Sequence, residues 1–329
     1  MDHLQLLNRW QHGFPLVAAP FAQIAAETGH SEGDVLRAYR DALRDGALSR
    51  IGGVWGPGAG GSALLVAVAA PAEDLESVAR RIDTMPGVNH SYEREHHYNL
   101  WFVITGRDAE GLHAELDALE RDTGLRCLRL PMQRVYRIDL GFDLLRSDTP
   151  ADRVLSARSV PRVAPADAPL AALVEGGLPL TERPYARWAA ALGRSEAEVR
   201  GVLAAWLEAG TLRRFGVVVR HHELGFDRNA MTVFDVPDDQ VDACGAALAA
   251  QAGVTLCYRR ARAEGWPYNL YCMIHGRERA AVQRLIEAAR QSAGLAPYPH
   301  EVLFSGRRFR QEGGSYFRAP AREVSHAQA

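Results

Sequence analysis

The chain repeats itself at the scale of a domain, and this duplication constrains the fold more than any other feature of the sequence. Residues 13–16 (GFPL) recur 164 residues later as residues 177–180 (GLPL). Residues 87–101 (GVNHSYEREHHYNLW) recur as residues 253–271 (GVTLCYRRARAEGWPYNLY), with four residues inserted. A period this long indicates a duplicated domain rather than a solenoid. We therefore expect two similar halves, each long enough to bury a core.

The composition restricts the class of protein. Hydrophobic residues make up 47% of the chain and charged residues 24%, which is typical of a soluble globular protein. No apolar run approaches the ~20 residues that a membrane helix needs, and the N-terminus lacks a signal-peptide core. The cysteines show no CxxC spacing, which argues against a zinc site. We expect a cytoplasmic protein with no membrane partner and no bound metal of its own.

Each half opens with the pattern of a winged helix-turn-helix. In the first half, apolar residues at helical spacing end at Gly29, and Ser31 is positioned to cap a second helix. In the second half, Gly193 and Ser195 occupy the same places. A basic strand follows in both halves, as LSRIGGVW and LRRFGVVV. Two helices joined at a glycine turn and followed by a strand predict a winged helix-turn-helix.

The rest of each half alternates strand and helix patterns in the order β-α-β-β-α-β, which is typical of a ferredoxin-like domain. Such a domain has helices on one face of an open sheet, so the other face is available for a second copy or for a ligand. We expect the two halves to pair as a pseudo-dimer, and a homo-oligomer is possible. The predicted fold is α+β in tandem: winged helix-turn-helix at 1–56, ferredoxin-like domain at 62–146, linker at 147–169, winged helix-turn-helix at 170–222, ferredoxin-like domain at 226–317 and a disordered tail at 318–329.

The helix-turn-helix units lack the charge of a DNA reader. The candidate recognition helices are SEGDVLRAYRDALRDG and SEAEVRGVLAAWLEAG, and acidic residues outnumber arginines in both. Binding to DNA requires a basic, exposed recognition surface, whereas this chain has a formal net charge of -2. We therefore expect no DNA partner and interpret both helix pairs as structural units that pack on the ferredoxin-like domains.

The repeated motif concentrates planar aromatic and basic side chains. Arginine can pair with carboxylates through a bidentate fork, and tyrosine and tryptophan can stack on a flat ring. Alternation along a strand places Tyr98 on the face opposite to Asn99 and Trp101, and the segment from Tyr92 to Tyr98 is predicted to be a loop between two strands. The motif therefore suits a flat, anionic ligand. The residues that the two copies share are Tyr92, Arg94, Tyr98 and Asn99 in the first, and Tyr258, Arg260, Tyr268 and Asn269 in the second.

These motifs resemble those of siroheme decarboxylases, on an architecture that resembles the Lrp/AsnC transcription factors. GV-x-x-x-Y-x-R ending in HYN-x-WF is similar to the smaller-subunit type, and RRFGVVVRHHELGF with GWPYNLYCMIHGR resembles the partner-subunit type. The whole chain is similar to the fused form in d-type haem biosynthesis, over residues 13–146 and 170–317. The resemblance implies decarboxylation of two acetate side chains of siroheme to give didecarboxysiroheme. It also implies that no added cofactor is required, because the iron belongs to the substrate.

Loss of CO2 from an acetate on a conjugated ring requires a positioned carboxylate and a general acid. In the first copy we predict His96 or His97 as the acid and Arg94 as the carboxylate anchor. In the second copy we predict Arg259 or Arg260 as the anchor. The other candidates for substrate binding are Tyr92, Tyr98, Asn99, Trp101, Tyr258, Trp266, Tyr268 and Asn269.

Histidines occur at different positions in the two copies. The second copy has His221 and His222 where the first has a glycine-rich segment, and these two or Tyr268 would assist catalysis there. His96 or His222 could alternatively ligate the iron of siroheme. Both copies could be catalytic or only one. A different interpretation also stays open, in which the chain is a tetrapyrrole-binding regulator or carrier without catalysis.

Overall fold

The computed structural model describes residues 3–138, 160–220, 228–314 and 316–317. The predicted tail and most of the predicted linker lie outside these residues, as do His221 and His222. Predictions for those positions therefore stay predictions. No helix in the described ranges combines the length and the apolar character required to span a bilayer.

The first copy has the predicted order of elements, preceded by one further helix. The second helix of its helix-turn-helix begins in a capping box, in which Ser31 Oγ accepts from Asp34 N at 3.1 Å and the Asp34 carboxylate accepts from Ser31 N. Its elements are α1 (His3–Arg9), α2 (Pro20–Thr28), α3 (Glu32–Arg44), β1 (Leu48–Trp55), β2 (Ser62–Val68), α4 (Leu75–Asp83), β3 (Val88–Arg94), β4 (Leu100–Gly106), α5 (Ala109–Thr123) and β5 (Cys127–Ile138).

The second copy follows a short 3-10 turn at Pro165–Asp167 and repeats the order of the first. Its capping box joins Ser195 and Glu198, with Ser195 Oγ accepting from Glu198 N at 3.2 Å. Its elements are α6 (Ala168–Gly176), α7 (Pro184–Leu192), α8 (Glu196–Glu208), β6 (Leu212–Val219), β7 (Ala230–Phe234), α9 (Val241–Ala249), β8 (Val254–Arg260), β9 (Leu270–Ile274), α10 (Arg279–Ser292) and β10 (His300–Gln311).

The two helix-turn-helix units share one core and one wing sheet. Strand β1 pairs antiparallel with β6, with Gly52 opposite Gly216. Aromatic side chains from both copies, including Phe21, Tyr185 and Phe215, pack in a single buried cluster beneath this sheet. Each wing therefore takes its second strand from the other copy, which ties the two helical units into one module.

The two ferredoxin-like sheets close into an eight-stranded barrel. Around the barrel the strands follow the order β10-β3-β4-β2-β5-β8-β9-β7, and β7 pairs with β10 to complete the circle. The β5–β8 and β10–β3 pairs join the two copies, so the described edge strands of both sheets are paired. The expected pairing of the two halves is therefore present, in the form of a continuous sheet with the helices outside.

Alternation along the strands separates an outer from an inner set of side chains. Phe102 packs outward in the core beneath α4 and α5, and Phe234 packs outward in the core beneath α9 and α10. Trp101 and Met231 point inward, into a third cluster inside the barrel. The interior of the barrel is thus built from both copies, and it is where residues of the repeated motif meet.

Candidate active site

A cavity of about 250 Å³ lies inside the barrel and is lined by Arg94 and Arg260, the arginines that the two copies of the motif share. Strand β3 directs His90, Tyr92 and Arg94 into it, and β8 directs Tyr258 and Arg260 into it from the opposite wall. Our prediction of a loop from residue 92 onward was wrong for its first part. Residues 92 and 93 continue the β3–β4 ladder, and it is this extended backbone that turns alternate side chains inward.

Arg94 is buried and held by the second copy. Its Nη1 donates to the carbonyl of Leu303 at 3.0 Å and to Ser305 Oγ at 3.1 Å, and its Nη2 lies 3.9 Å from Met273 Sδ. Its guanidinium lies 5.9 Å from the centre of the Tyr92 ring. Burial lowers the pKa of Arg94 to about 10. Its Nε is buried and has no hydrogen-bond partner among the described residues.

Arg260 is held in the same way by the first copy. Its Nη1 donates to the carbonyl of Leu130 at 2.8 Å, and Leu130 is the counterpart of Leu303 in the duplication. Its guanidinium lies 5.2 Å from the ring centre of Tyr258 and 5.8 Å from that of Tyr271. Burial lowers the pKa of Arg260, and its buried Nε also lacks a partner within the described part of the chain. Each arginine therefore depends on the last strand of the other copy.

The charge of these two arginines is not balanced inside the cavity. None of the described side chains that line it is an aspartate or a glutamate. A buried cation without a counter-ion is costly, because neither water nor an anion solvates it. Two guanidinium groups on opposite walls therefore form a site that is electrostatically complementary to a ligand bearing at least two carboxylates.

His90 lies at the mouth of this cavity. Its Nδ1 is 3.5 Å from Tyr92 Oη, and the two rings stack with centroids 6.2 Å apart. Burial and the nearby Arg50 lower the pKa of His90 to about 4, against the opposing effect of Glu312. His90 was not among the predicted site residues, although its spacing of two from Tyr92 and four from Arg94 places it on the same strand face.

His275, the residue that directly follows β9, also lines the cavity. Its Nδ1 lies 2.8 Å from Thr255 Oγ1. Burial, with a smaller contribution from Arg94, lowers the pKa of His275 to about 4. This imidazole is thus tied to the neighbouring strand, and its counterpart in the first copy is Thr105, which cannot titrate in this range.

A second cavity, of about 190 Å³, lies between the wing sheet and the mouth of the barrel. His90 and Gln311 line both cavities, so the two adjoin at these residues. Arg50 and Arg214 of the wing strands line the second cavity, as does Arg220, which directly follows β6. One carboxylate, Glu312, lines it as well. Arginines therefore outnumber acidic residues in the space beneath the helical module.

The C-terminal segment closes one side of this second cavity. Glu175 of α6 is buried and accepts hydrogen bonds from the backbone of Tyr316 at 2.9 Å and of Phe317 at 3.2 Å. It also accepts from Trp55 Nε1 at 3.1 Å, and the rings of Trp55 and Phe317 lie 5.2 Å apart. One carboxylate thus fastens the end of the described chain to the wing.

Aromatic side chains close the opposite end of the barrel. Trp266, from the inserted residues of the second copy, packs against Trp101 with ring centroids 5.4 Å apart. Its Nε1 donates to Tyr271 Oη at 2.6 Å, and Trp101 Nε1 donates to the carbonyl of Tyr98 at 2.7 Å. Both indole rings are buried. The predicted stacking residues Trp101 and Trp266 therefore form an aromatic plug at this end.

The histidines predicted as acids lie beyond this plug. His96 packs edge-on against Trp266 at 5.4 Å and accepts from the backbone of Tyr98 at 3.0 Å. Burial lowers the pKa of His96. His97 is exposed and lines a separate surface cavity. Neither histidine borders the cavity that contains Arg94, so the structure does not bring the predicted acid and the predicted anchor together.

The two asparagines at equivalent positions of the repeated motif hold the backbone. The Asn99 amide bonds the N–H and the carbonyl of Ala70, at 2.9 and 2.8 Å. The Asn269 amide bonds the same two groups of Val236, at 3.0 and 2.9 Å. Both amides are engaged in fastening the β3–β4 and β8–β9 loops to a neighbouring segment, and neither side chain lines the barrel cavity.

Two further predicted residues lie on the outside. Arg259 points away from the cavity, and its guanidinium lies 3.1 Å from Asp238 and 3.7 Å from Asp242. The Tyr268 hydroxyl contacts Glu301 at 3.5 Å in an exposed position. Of the two anchors that we left open for the second copy, only Arg260 enters the cavity.

Comparison with known families defines the class of this protein. The profile of the AsnC-like ligand binding domain matches residues 59–137 and 223–310. The profile of the siroheme decarboxylase NirDL-like HTH domain matches residues 4–48 and 167–213. The matches alternate along the chain in the order of the two copies, so the protein is a tandem of Lrp/AsnC-like two-domain units.

Individual relatives specify the family. The siroheme decarboxylase NirDL subunit of Paracoccus denitrificans is 40% identical over 95% of this chain and 96% of its own length. The siroheme decarboxylase of Hydrogenobacter thermophilus is 32% identical over 95% and 94%, respectively. A crystal structure of siroheme decarboxylase NirDL in co-complex with an iron-uroporphyrin III analogue superposes with a TM-score of 0.68 at 27% identity, covering 96% of this chain and 95% of that chain. The chain belongs to the siroheme decarboxylase NirDL family, as its motifs predicted.

Proposed function

We propose that this chain is a cytoplasmic carboxy-lyase that removes CO2 from two acetate side chains of siroheme, giving didecarboxysiroheme. The observation that carries the proposal is a pair of arginines, the buried Arg94 and the half-buried Arg260, in a cavity lined by no described acidic residue. Siroheme is a flat macrocycle with eight carboxylates, so it can neutralise both arginines at once. The relative that binds an iron-uroporphyrin III analogue supports this choice, because that ligand is also a planar iron macrocycle.

The size of the site indicates how the macrocycle would lie. The barrel cavity measures about 250 Å³, whereas pockets for drug-sized ligands measure roughly 300–1,000 Å³. The macrocycle would therefore occupy the barrel cavity and the adjoining second cavity together. Arg94 and Arg260 would bind carboxylates on the edge that enters the barrel, and the wing arginines would bind carboxylates on the other edge.

The lining of the barrel cavity suits the chemical step. In each decarboxylation the bond between the methylene and the carboxylate carbon breaks, CO2 leaves, and the electron pair passes into the conjugated ring. One proton then adds to the methylene carbon, which becomes a methyl group. Apolar side chains such as Leu65, Met231 and Tyr271 line the cavity, and an apolar setting disfavours the localised charge of the carboxylate relative to the delocalised charge that follows. The ring is the electron sink, so we propose that no added cofactor is required.

Anaerobic incubation of the purified protein with siroheme, followed by mass analysis of the extracted tetrapyrrole, tests the proposal. We expect the mass to fall by two CO2 units in buffer without any added cofactor. Arg94→Met protein, in which one anchor is removed, is the matched comparison, and we expect it to bind siroheme more weakly. Recovery of unchanged, tightly bound siroheme would contradict the enzymatic function and support a carrier. Salt-dependent binding to duplex DNA would support a regulator.

A further inference from the structure

The wing sheet has a bulge at the same place in each copy. The β1–β6 ladder shifts its register twice, once past Ser49 and once past Arg213. These two residues are left out of the strand pairing, and they are equivalent in the duplication. A bulge redirects a side chain, and bulges are frequent beside active sites. The position is therefore a place where the two copies can present different side chains to a ligand.

The bulge turns Arg213 away from the core of the helical module. Phe215 and Val217 pack in that core, and strict alternation along the strand would place Arg213 there as well. Leu212 packs in the core instead, because the unpaired residue shifts the alternation by one position. The arginine is thereby directed out of the apolar cluster to which an unbroken strand would assign it.

Arg213 lies close to the lining of the barrel cavity. Burial raises the pKa of Tyr258 to about 12, against the opposing effects of the Arg260 and Arg213 charges. Tyr258 lines the barrel cavity, and Ser49, the equivalent of Arg213, lines the cavity beneath the wing. Arg213 is therefore located between the wing sheet and the wall of the barrel that the second copy provides.

The guanidinium of Arg213 has no partner within the described part of the chain. Arg213 is half-buried, forms no ion pair there, and has a buried Nε without a hydrogen-bond partner. Burial lowers its pKa, against a smaller effect of Tyr258. By contrast, the adjacent Arg214 donates to the carbonyls of Gln11 at 2.7 Å and Val217 at 2.9 Å. A partly desolvated cation without compensation is costly, and a bound anion removes that cost.

The number of arginines around the two cavities indicates how many carboxylates the ligand has. Arg94 and Arg260 line the barrel cavity, and three more arginines line the second cavity. Arg213 adds a further guanidinium beside Tyr258. A macrocycle with one carboxylate on each of its four rings cannot pair separately with all of these groups. A macrocycle with two carboxylates on each ring can.

We infer that Arg213 binds a further carboxylate of the tetrapyrrole and makes the site selective for macrocycles with an acetate beside each propionate, an inference that rests on the proposed function. Arg94 and Arg260 bind carboxylates on the edge within the barrel, and Arg213 binds one on the part that projects toward the wing. A tetrapyrrole with a methyl group at that place leaves the guanidinium unpaired. A site built to pair a polar group rejects analogues that lack it, because its own groups then stay unpaired.

Absorbance titration of Arg213→Gln protein with two iron porphyrins tests the inference. Iron-uroporphyrin III has eight carboxylates, and iron-coproporphyrin III has four, with methyl groups in place of the acetates. We expect Arg213→Gln to weaken binding of iron-uroporphyrin III by about 10-fold, the lower range for a hydrogen bond to a charged group. Binding of iron-coproporphyrin III should weaken far less. Arg187→Gln, which removes an exposed arginine of α7, is the matched control and should keep both wild-type affinities.

A second variant and a stability measurement separate ligand pairing from a structural role. Because its guanidinium has no partner in the protein, Arg213→Gln should leave the free energy of unfolding unchanged or raise it, as urea denaturation measures. Adding Ser49→Arg to Arg213→Gln places a guanidinium at the equivalent bulge. Recovery of part of the preference for iron-uroporphyrin III would support pairing with a carboxylate.

Three results would overturn the inference. They are wild-type affinity for both porphyrins in Arg213→Gln, an equal loss of affinity for both, and a marked fall in the free energy of unfolding of that variant. The proposed function fails separately. If wild-type protein prefers iron-uroporphyrin III in the predicted way but releases no CO2 from siroheme, the enzymatic function is refuted and the role of Arg213 in selectivity is retained.

Discussion

The two copies hold their arginines alike and surround them with different side chains. Arg94 donates to the carbonyl of Leu303, and Arg260 donates to that of Leu130, the equivalent residue of the other copy. By contrast, His90 of the first copy corresponds to Leu256 of the second. The shared residues thus provide symmetric attachment points for a multiply charged ligand, and the residues that differ provide asymmetry at the mouth of the cavity.

The same division appears at the closed end of the barrel. The four inserted residues of the second copy lengthen the β8–β9 loop and allow Trp266 to cover the barrel end. There Trp266 packs on Trp101 from the first copy, which has no such insertion of its own. One copy therefore supplies the cover and the other the surface beneath it.

Removing one anchor should produce the largest effect on the symmetric part of the site. Arg94→Met removes a buried guanidinium, and we expect siroheme binding to weaken by about 2–5 kcal/mol, as for other buried charged contacts. Because this cation has no acidic partner in the cavity, the same change should leave the free energy of unfolding of the empty protein unchanged or raise it. Absorbance titration and urea denaturation measure the two quantities.

Arg260→Met is the matched change in the other copy. Equal losses of siroheme affinity would establish that the two anchors are equivalent. Unequal losses would show that the two anchors contribute differently to binding, because the side chains around them differ. The expectation of an unpaired charge would be refuted if Arg94→Met lowered the free energy of unfolding by several kcal/mol without changing the affinity for siroheme.

Sequence patterns predicted the repeated elements better than the way in which they assemble. Alternation and helical spacing gave the order of strands and helices in each copy, because these are local properties. The β5–β8 and β10–β3 pairs join segments more than 100 residues apart, and no local pattern specifies them. The acid of the first copy was predicted to be His96 or His97, both of which follow Arg94 closely in sequence. The strand ends at Arg94, however, so the later residues leave the inward face.

The asparagines of the motif have a backbone role in the structure that their polarity did not predict. Asn99 and Asn269 were predicted to bind substrate, but the amides fasten loops to Ala70 and Val236. Asn269→Ala should lower the free energy of unfolding by about 2–3 kcal/mol, because two backbone groups lose their partners in a buried setting. Protein that remains folded should keep its affinity for siroheme. Urea denaturation and titration of the same sample check both expectations.

Asn99→Ala provides the internal comparison. Asn99 is less buried than Asn269, which is 1% exposed, so water can partly replace its hydrogen bonds and the loss of stability should be smaller. A large loss of siroheme affinity in either variant, with the free energy of unfolding unchanged, would restore the predicted role in binding.

The smallest effect is expected at Arg259, which adjoins the anchor Arg260 but faces outward. Its ion pairs with Asp238 and Asp242 lie at the surface, and exposed pairs contribute about 0.2–1 kcal/mol to stability. Arg259→Gln should therefore lower the free energy of unfolding by no more than this and alter siroheme affinity far less than Arg260→Met. The two variants differ by one position along β8, so the contrast depends on the strand face alone. If Arg259→Gln weakened siroheme binding as strongly as Arg260→Met, the ligand would have to contact the outer face of the barrel. That result would contradict the proposal that siroheme binds in the cavity.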